Sequence, residues 1–143
     1  TEVGAISSGA DEETVRKLKM IGHYIGMSFQ IVDDILDFTS TEKKLGKPVG
    51  SDLMNGHITL PVLLEMKKDT SFKKKIAALN HQSESQEFKP LIEQIRNSYS
   101  IKESKAISDK YLAKALKLID ELDEPNAQSL FIKLIKKMGS RSV

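Results

Sequence analysis

Three aspartates, Asp33, Asp34 and Asp37, are packed into one short stretch of an otherwise apolar segment. Like charges one and four residues apart repel, and a carboxylate withdrawn from water costs several kcal/mol or takes up a proton. A fold keeps three acids in such surroundings only where something cationic compensates them. On a helix Asp33 and Asp37 fall on neighbouring turns, so their oxygens can converge on one hard cation. Carboxylate oxygens without sulfur or histidine suit Mg²⁺, which keeps several waters and commonly bridges to substrate phosphates. The other reading of the same pattern is a solvated helix end whose acids pair with lysines.

The segment that follows offers a counter-charge. Leu45-Gly46-Lys47-Pro48-Val49-Gly50-Ser51-Asp52-Leu53 sets one lysine between glycines, where backbone can approach an anion closely. A lysine there can hold a diphosphate that the aspartates reach through Mg²⁺. An exposed loop lysine without a role would look the same. The loop is neither a GxxxxGK[ST] phosphate loop nor a dinucleotide-binding turn, because no strand precedes it.

A helix must position the acids. Every periodic stretch of the chain repeats near 3.6 residues and nothing alternates as a strand does. The spacing predicts a helix from Asp11, as N-cap, to about Phe38, with Glu12 and Glu13 in the first turn where the helix dipole favours acids. At about 100° per residue, Gly22, Gly26, Phe29, Gln30, Asp33 and Asp37 share an arc roughly 100° wide. Asp34 lies some 40° beyond that arc. Apolar side chains occupy most of the remaining circumference, the pattern of a buried helix. Gly22 and Gly26 leave room beside the acids, for a neighbouring helix or for a ligand chain.

An earlier helix is expected to end near Ser8-Gly9, and residues 39–57 are expected to be loop. Helices are predicted over 58–67, 70–79, 86–98, 101–122 and 125–138. Pro125 suits the first turn of the last one and Gly139 its stop. In that helix Leu130, Phe131, Leu134, Ile135 and Met138 form one apolar stripe, expected to be plain core.

The run Gly22-x3-Gly26-x2-Phe29-Gln30-Ile31-x-Asp33-Asp34-x2-Asp37, then Gly46-Lys47-x2-Gly50-x-Asp52-Leu53, then Thr59-Leu60-Pro61, resembles the trans-type prenyl diphosphate synthases. The similarity is strongest from about Gly4 to Leu64. Its details resemble most the catalytic component of bacterial two-component hexaprenyl and heptaprenyl diphosphate synthases. The resemblance implies an all-α helical bundle of the isoprenoid-synthase type, and a Mg²⁺-dependent condensation of isopentenyl diphosphate with an allylic diphosphate. It implies that Asp33, Asp34 and Asp37 are the second aspartate-rich motif, binding Mg²⁺ on the allylic diphosphate. By the same resemblance Lys47 contacts that diphosphate, Phe29 and Gln30 line the substrate pocket, and Asp52 supports the metal site. His57 stands where relatives often carry a lysine, so it is either a weaker phosphate contact or a loop histidine without a role. Arg141 could reach a diphosphate. The family's first aspartate-rich motif is missing from the chain, which therefore reads as the C-terminal part of a synthase, inactive alone. Dimerisation, as a homodimer or with a dissimilar subunit, is implied by resemblance as well.

Composition sets the outer limits. The chain has 143 residues and no cysteine, which excludes disulfides and thiolate metal sites. The absence fits a reducing cytoplasm, the expected location. No apolar run approaches the roughly 20 residues of a membrane span. Residues 1–66 carry a net charge of −4 and residues 67–143 one of +6. The lysines of the second half alternate with leucine and isoleucine at helical spacing without interleaved aromatics, which argues for solvated helix faces rather than nucleic-acid binding. Two other functions compete: a class I terpene cyclase, and a non-catalytic helical subunit that regulates a synthase. The Gly-Lys-x-x-Gly loop weighs against the first and the intact aspartate motif against the second.

Overall fold

The computed structural model describes residues 12–80 and 82–139. The expected helix before Ser8, the cap at Asp11, and Arg141 lie outside the described residues. The described residues form helices and connecting turns, with no strand among them. The all-α expectation holds.

Helix α1 spans Glu12–Thr39, 28 residues without a proline, with Glu12 and Glu13 in its first turn. At its end the Thr39 hydroxyl turns back to the Ile35 carbonyl at 3.1 Å. The stretch expected as loop holds two single-turn helices instead. Helix α2 (Glu42–Leu45) starts because the Thr41 side chain accepts from the Lys44 amide, and stops at Gly46 in the left-handed region, φ 71°. Helix α3 (Ser51–Met54) follows Gly50, also left-handed at φ 78°. Such turns are set by local caps rather than by periodicity, so hydrophobic pattern could not announce them.

Helix α4 (Leu60–Lys68) opens with Pro61 in its first turn, where the missing amide hydrogen costs nothing. Asp69 separates it from α5 (Thr70–Ala78) and caps the latter by accepting from the Phe72 amide. Helix α6 (Ser85–Arg96) begins with a reciprocal cap between Glu84 and Glu87. Helix α7 (Tyr99–Asp120) and α8 (Pro125–Gly139) complete the described chain. The predicted boundaries hold to within two residues.

The chain forms two compact units. One, Gln30–Ile107, is built on Phe38, Leu53, Val62, Phe72, Phe88, Ile92 and Ile95, with α3 packed on α6 and α4 on both α5 and α6. With Asp37, Glu65 is one of two buried carboxylates among the described residues of this unit. It accepts from Gln94 Nε2 at 2.7 Å and from Ser100 Oγ at 2.9 Å, which satisfies it in place of water. The other unit joins residues 12–29 with residues 108–139. Ile21, Ile25, Phe29, Ala115, Ile119 and Leu122 make its core, and Ser28 and Ser108 meet inside it at 2.8 Å.

The stripe expected along α8 is split. Phe131, Ile135 and Met138 pack against the core, whereas Leu130 is 67% and Leu134 40% exposed. A stripe five residues strong is wider than the line of contact that one neighbouring helix offers.

Candidate functional site

Helix α1 is not buried all round, as its composition suggested. Gly22, His23, Gly26, Gln30 and Asp33 lie exposed along it. Among the described residues, a Cβ at Gly22 or Gly26 would meet no atom from elsewhere in the chain within 4 Å. The glycines therefore keep a smooth, accessible face in this chain, rather than admitting another of its helices.

The three aspartates meet three different environments. Asp33 is exposed and Asp34 half-buried, while Asp37 is 2% exposed. Gln30 Nε2 donates to Asp34 Oδ1 at 3.1 Å. Burial raises the Asp34 carboxyl above its ordinary value; the Gln30 hydrogen bond opposes this, and Asp52, Asp33 and Asp37 reinforce it by charge repulsion.

Asp37 is held by the following loop. Ser51 Oγ donates to its Oδ1 at 3.1 Å and the Asp52 amide to its Oδ2 at 3.1 Å. The Gly50 amide donates to its backbone carbonyl at 2.8 Å. Lys47 Nζ stands 3.4 Å from Asp37 Oδ1 and 3.7 Å from Asp52 Oδ1. Desolvation works against the Lys47 charge, but Asp52 and Asp37 outweigh it and lift the ammonium above its usual value. The left-handed glycines at 46 and 50 bend the chain so that Lys47, Ser51 and Asp52 all reach Asp37.

The structure thus brings Asp34, Asp37, Lys47 and Asp52 into one electrostatic cluster, with Asp33 beside Asp34. Phe29 and His57 are not part of it. Phe29 is packed in the core with Ile25 and Ile119. His57 is exposed; its backbone amide donates to the Asp52 carbonyl at 2.8 Å. Gln30 reaches the cluster through Asp34. Ser51, which sequence reasoning passed over, is a full member; only its place between Gly50 and Asp52 marked it.

Among the described residues no three His, Asp or Glu side chains meet as a ready-made metal cage. The donor set nonetheless fits a hard cation. Asp34, Asp37 and Asp52 gather around the Lys47 ammonium, Asp33 is open to solvent and Asp34 partly so, and burial together with repulsion among the acids lifts Asp34. Among the described residues no helix is long and apolar enough to cross a membrane.

Comparison with known proteins places the chain in a family. Residues 1–95 match the family model "Polyprenyl synthetase". The chain is 44% identical over 140 residues to heptaprenyl diphosphate synthase component 2 of Bacillus subtilis (strain 168), covering 98% of this chain and 40% of that protein. It is 46% identical over 140 residues to the protein of that name from Geobacillus stearothermophilus, covering 98% of this chain and 43% of that protein. The crystal structure of heptaprenyl diphosphate synthase from Staphylococcus aureus superposes with a TM-score of 0.89 at 68% identity, covering all of this chain and 45% of that one. The chain spans about two fifths of the length of these curated relatives. With two thirds of its residues under the family model and an all-α fold shared with a solved synthase, the chain belongs to the polyprenyl synthetase family.

Proposed function

We propose that this chain is the C-terminal part of a polyprenyl diphosphate synthase, and that the cluster around Asp37 binds the diphosphate of an allylic substrate with Mg²⁺. The observation that carries the reading is the position of Lys47. Its ammonium stands between two carboxylates at the edge of an acidic cluster, half exposed, where an anion from solvent can reach it. Because Lys47 is already paired with Asp37 and Asp52, an anion is held more firmly when further cations arrive with it. Asp33 and Asp34, on the accessible side, are the residues that would hold them.

Lys47 donates to a phosphate oxygen and Gln30 fixes the rotation of Asp34. Asp37 and Asp52 keep Lys47 charged and in place. Magnesium, when bound, neutralises a leaving diphosphate so that an allylic C–O bond can break. The second substrate is isopentenyl diphosphate, and the product a polyprenyl diphosphate that serves as a quinone side-chain precursor. This reading needs another aspartate-rich motif, from a further stretch of the same polypeptide or from another subunit. Two relatives are named component 2, which supports a dimer with a dissimilar partner.

Calorimetric binding of dimethylallyl diphosphate, with and without Mg²⁺, tests the proposal beside an Asp33→Ala variant. Binding that needs Mg²⁺ and is lost in the variant is the expected result. Binding without metal, or binding indifferent to Asp33, would make the acids structural and sink the mechanism.

A further inference from the structure

The three aspartates look equivalent as a motif, yet Asp37 is nearly inaccessible and both of its oxygens already accept donors from the loop. Each oxygen keeps a further lone pair, but at 2% exposure a cation could reach Asp37 only if the loop carrying Ser51 and Asp52 moved aside. Four contributions from one loop converge on it: the Lys47 ammonium, the Gly50 amide, the Ser51 hydroxyl and the Asp52 amide. Lys47 itself is a long side chain, 47% exposed, with much rotamer freedom to lose. Something must restrict it if it is to meet a phosphate oxygen at one place. Asp37 Oδ1 does so, and Ser51 Oγ, donating to that same oxygen, sets the rotation of the carboxylate.

We propose that Ser51 is a positioning residue of the diphosphate site: acting through Asp37, it anchors the 46–54 loop and aims Lys47, and Asp37 serves as this anchor rather than as a metal ligand. The inference rests on the diphosphate-binding reading above. It divides the motif into an outer pair, Asp33 and Asp34, that faces the metal, and an inner acid that faces the loop. Preorganising the lysine in this way lowers the entropy lost on binding.

The experiment uses inorganic pyrophosphate as the probe, titrated calorimetrically at saturating Mg²⁺, and then Mg²⁺ titrated at fixed pyrophosphate. Wild type, Ser51→Ala, Ser51→Thr, Asp37→Asn and Asp33→Ala are compared. Ser51→Ala is expected to weaken pyrophosphate binding about fivefold to tenfold, the loss of one hydrogen bond, without moving the Mg²⁺ half-saturation point. Ser51→Thr, which keeps the hydroxyl, restores affinity to within about twofold. Asp33→Ala shifts the Mg²⁺ half-saturation point and Asp37→Asn does not. Hydrogen exchange at the Gly50 and Asp52 amides is read in parallel, and speeds up in Ser51→Ala but not in Ser51→Thr.

Unchanged pyrophosphate affinity in Ser51→Ala overturns the positioning role, even if amide exchange quickens. An Mg²⁺ midpoint moved as far by Asp37→Asn as by Asp33→Ala overturns the anchor assignment and makes Asp37 a ligand. A wild type that binds no pyrophosphate with Mg²⁺ overturns the diphosphate reading itself, and this inference with it.

Discussion

A Cβ placed on Gly50 would stand 2.5 Å from Ile92 Cδ1. The backbone of the lysine-bearing loop is therefore pressed against α6 on one side, while the Gly50 amide is tied to the Asp37 carbonyl on the other. Gly50 also sits at φ 78°, which a side chain resists. Gly50→Ala combines both penalties. It is expected to cost about 2 kcal/mol or more, from the left-handed backbone and from overpacking against Ile92. Urea unfolding measures this; a loss within experimental error would mean that the loop can shift away from α6 freely.

Asp34 is the acid that burial and its acidic neighbours destabilise most clearly. In the absence of Mg²⁺, Asp34→Asn is expected to raise the thermal midpoint, because it removes a repelled charge and keeps a partner for Gln30. The same variant should gain less from added Mg²⁺ and pyrophosphate than wild type does. Differential scanning fluorimetry with and without these ligands reads both effects.

The Asp69 carboxyl is held below its ordinary value, first by the Phe72 amide and then by the Gln94 side chain. A depressed carboxyl contributes stability that is complete above its unfolded value and is lost as pH falls through its folded value. Asp69→Asn keeps the cap but not the charge. Its stability deficit relative to wild type should be constant near neutrality and vanish between about pH 4 and pH 2. A deficit that persists at the acid end would show that the Asp69 charge is not its cause.

Ser28 and Ser108 hydrogen bond to each other at 2.8 Å, and Ser108 Oγ also lies 2.9 Å from the Ser28 carbonyl. Both side chains are buried. Ser108→Ala leaves the Ser28 hydroxyl without this partner, at a cost of about 1–3 kcal/mol, whereas in Ser28→Ala the Ser108 hydroxyl keeps the backbone carbonyl of residue 28. Ser28→Ala with Ser108→Ala should cost less than the sum of the single changes. A double-mutant cycle from urea unfolding measures the coupling, and strict additivity would show that the pair does not act as one.

Much of the candidate site is legible in the amino-acid sequence. Asp33, Asp34, Asp37 and Lys47 stand out because unusual chemistry sits in an apolar, proline-free setting, and the helix that carries the acids follows from periodicity and first-turn acids. Helix type is a local property, decided by propensity, caps and the 3.6-residue repeat, so α1 and α4 to α8 could be drawn nearly to their ends. The one-turn helices α2 and α3 could not, because each rests on a cap and a left-handed glycine rather than on a pattern.

What a helix wheel cannot tell is which part of a face the rest of the chain will cover. Asp33 and Asp37 share one arc, yet one is exposed and the other buried, because Ser51 and Asp52, fourteen and fifteen residues further on, fold back over Asp37. Phe29 belongs to the same arc and ends in a core built from residues near 119. Leu130 and Leu134 belong to the same stripe as Phe131 and Ile135 but stay outside it. By itself, then, the sequence determined the helices and the chemical character of the site, since those depend on neighbours in the chain. The tertiary structure decided which acid is held by the loop and which faces solvent, since burial is set by contacts between residues that the sequence holds far apart.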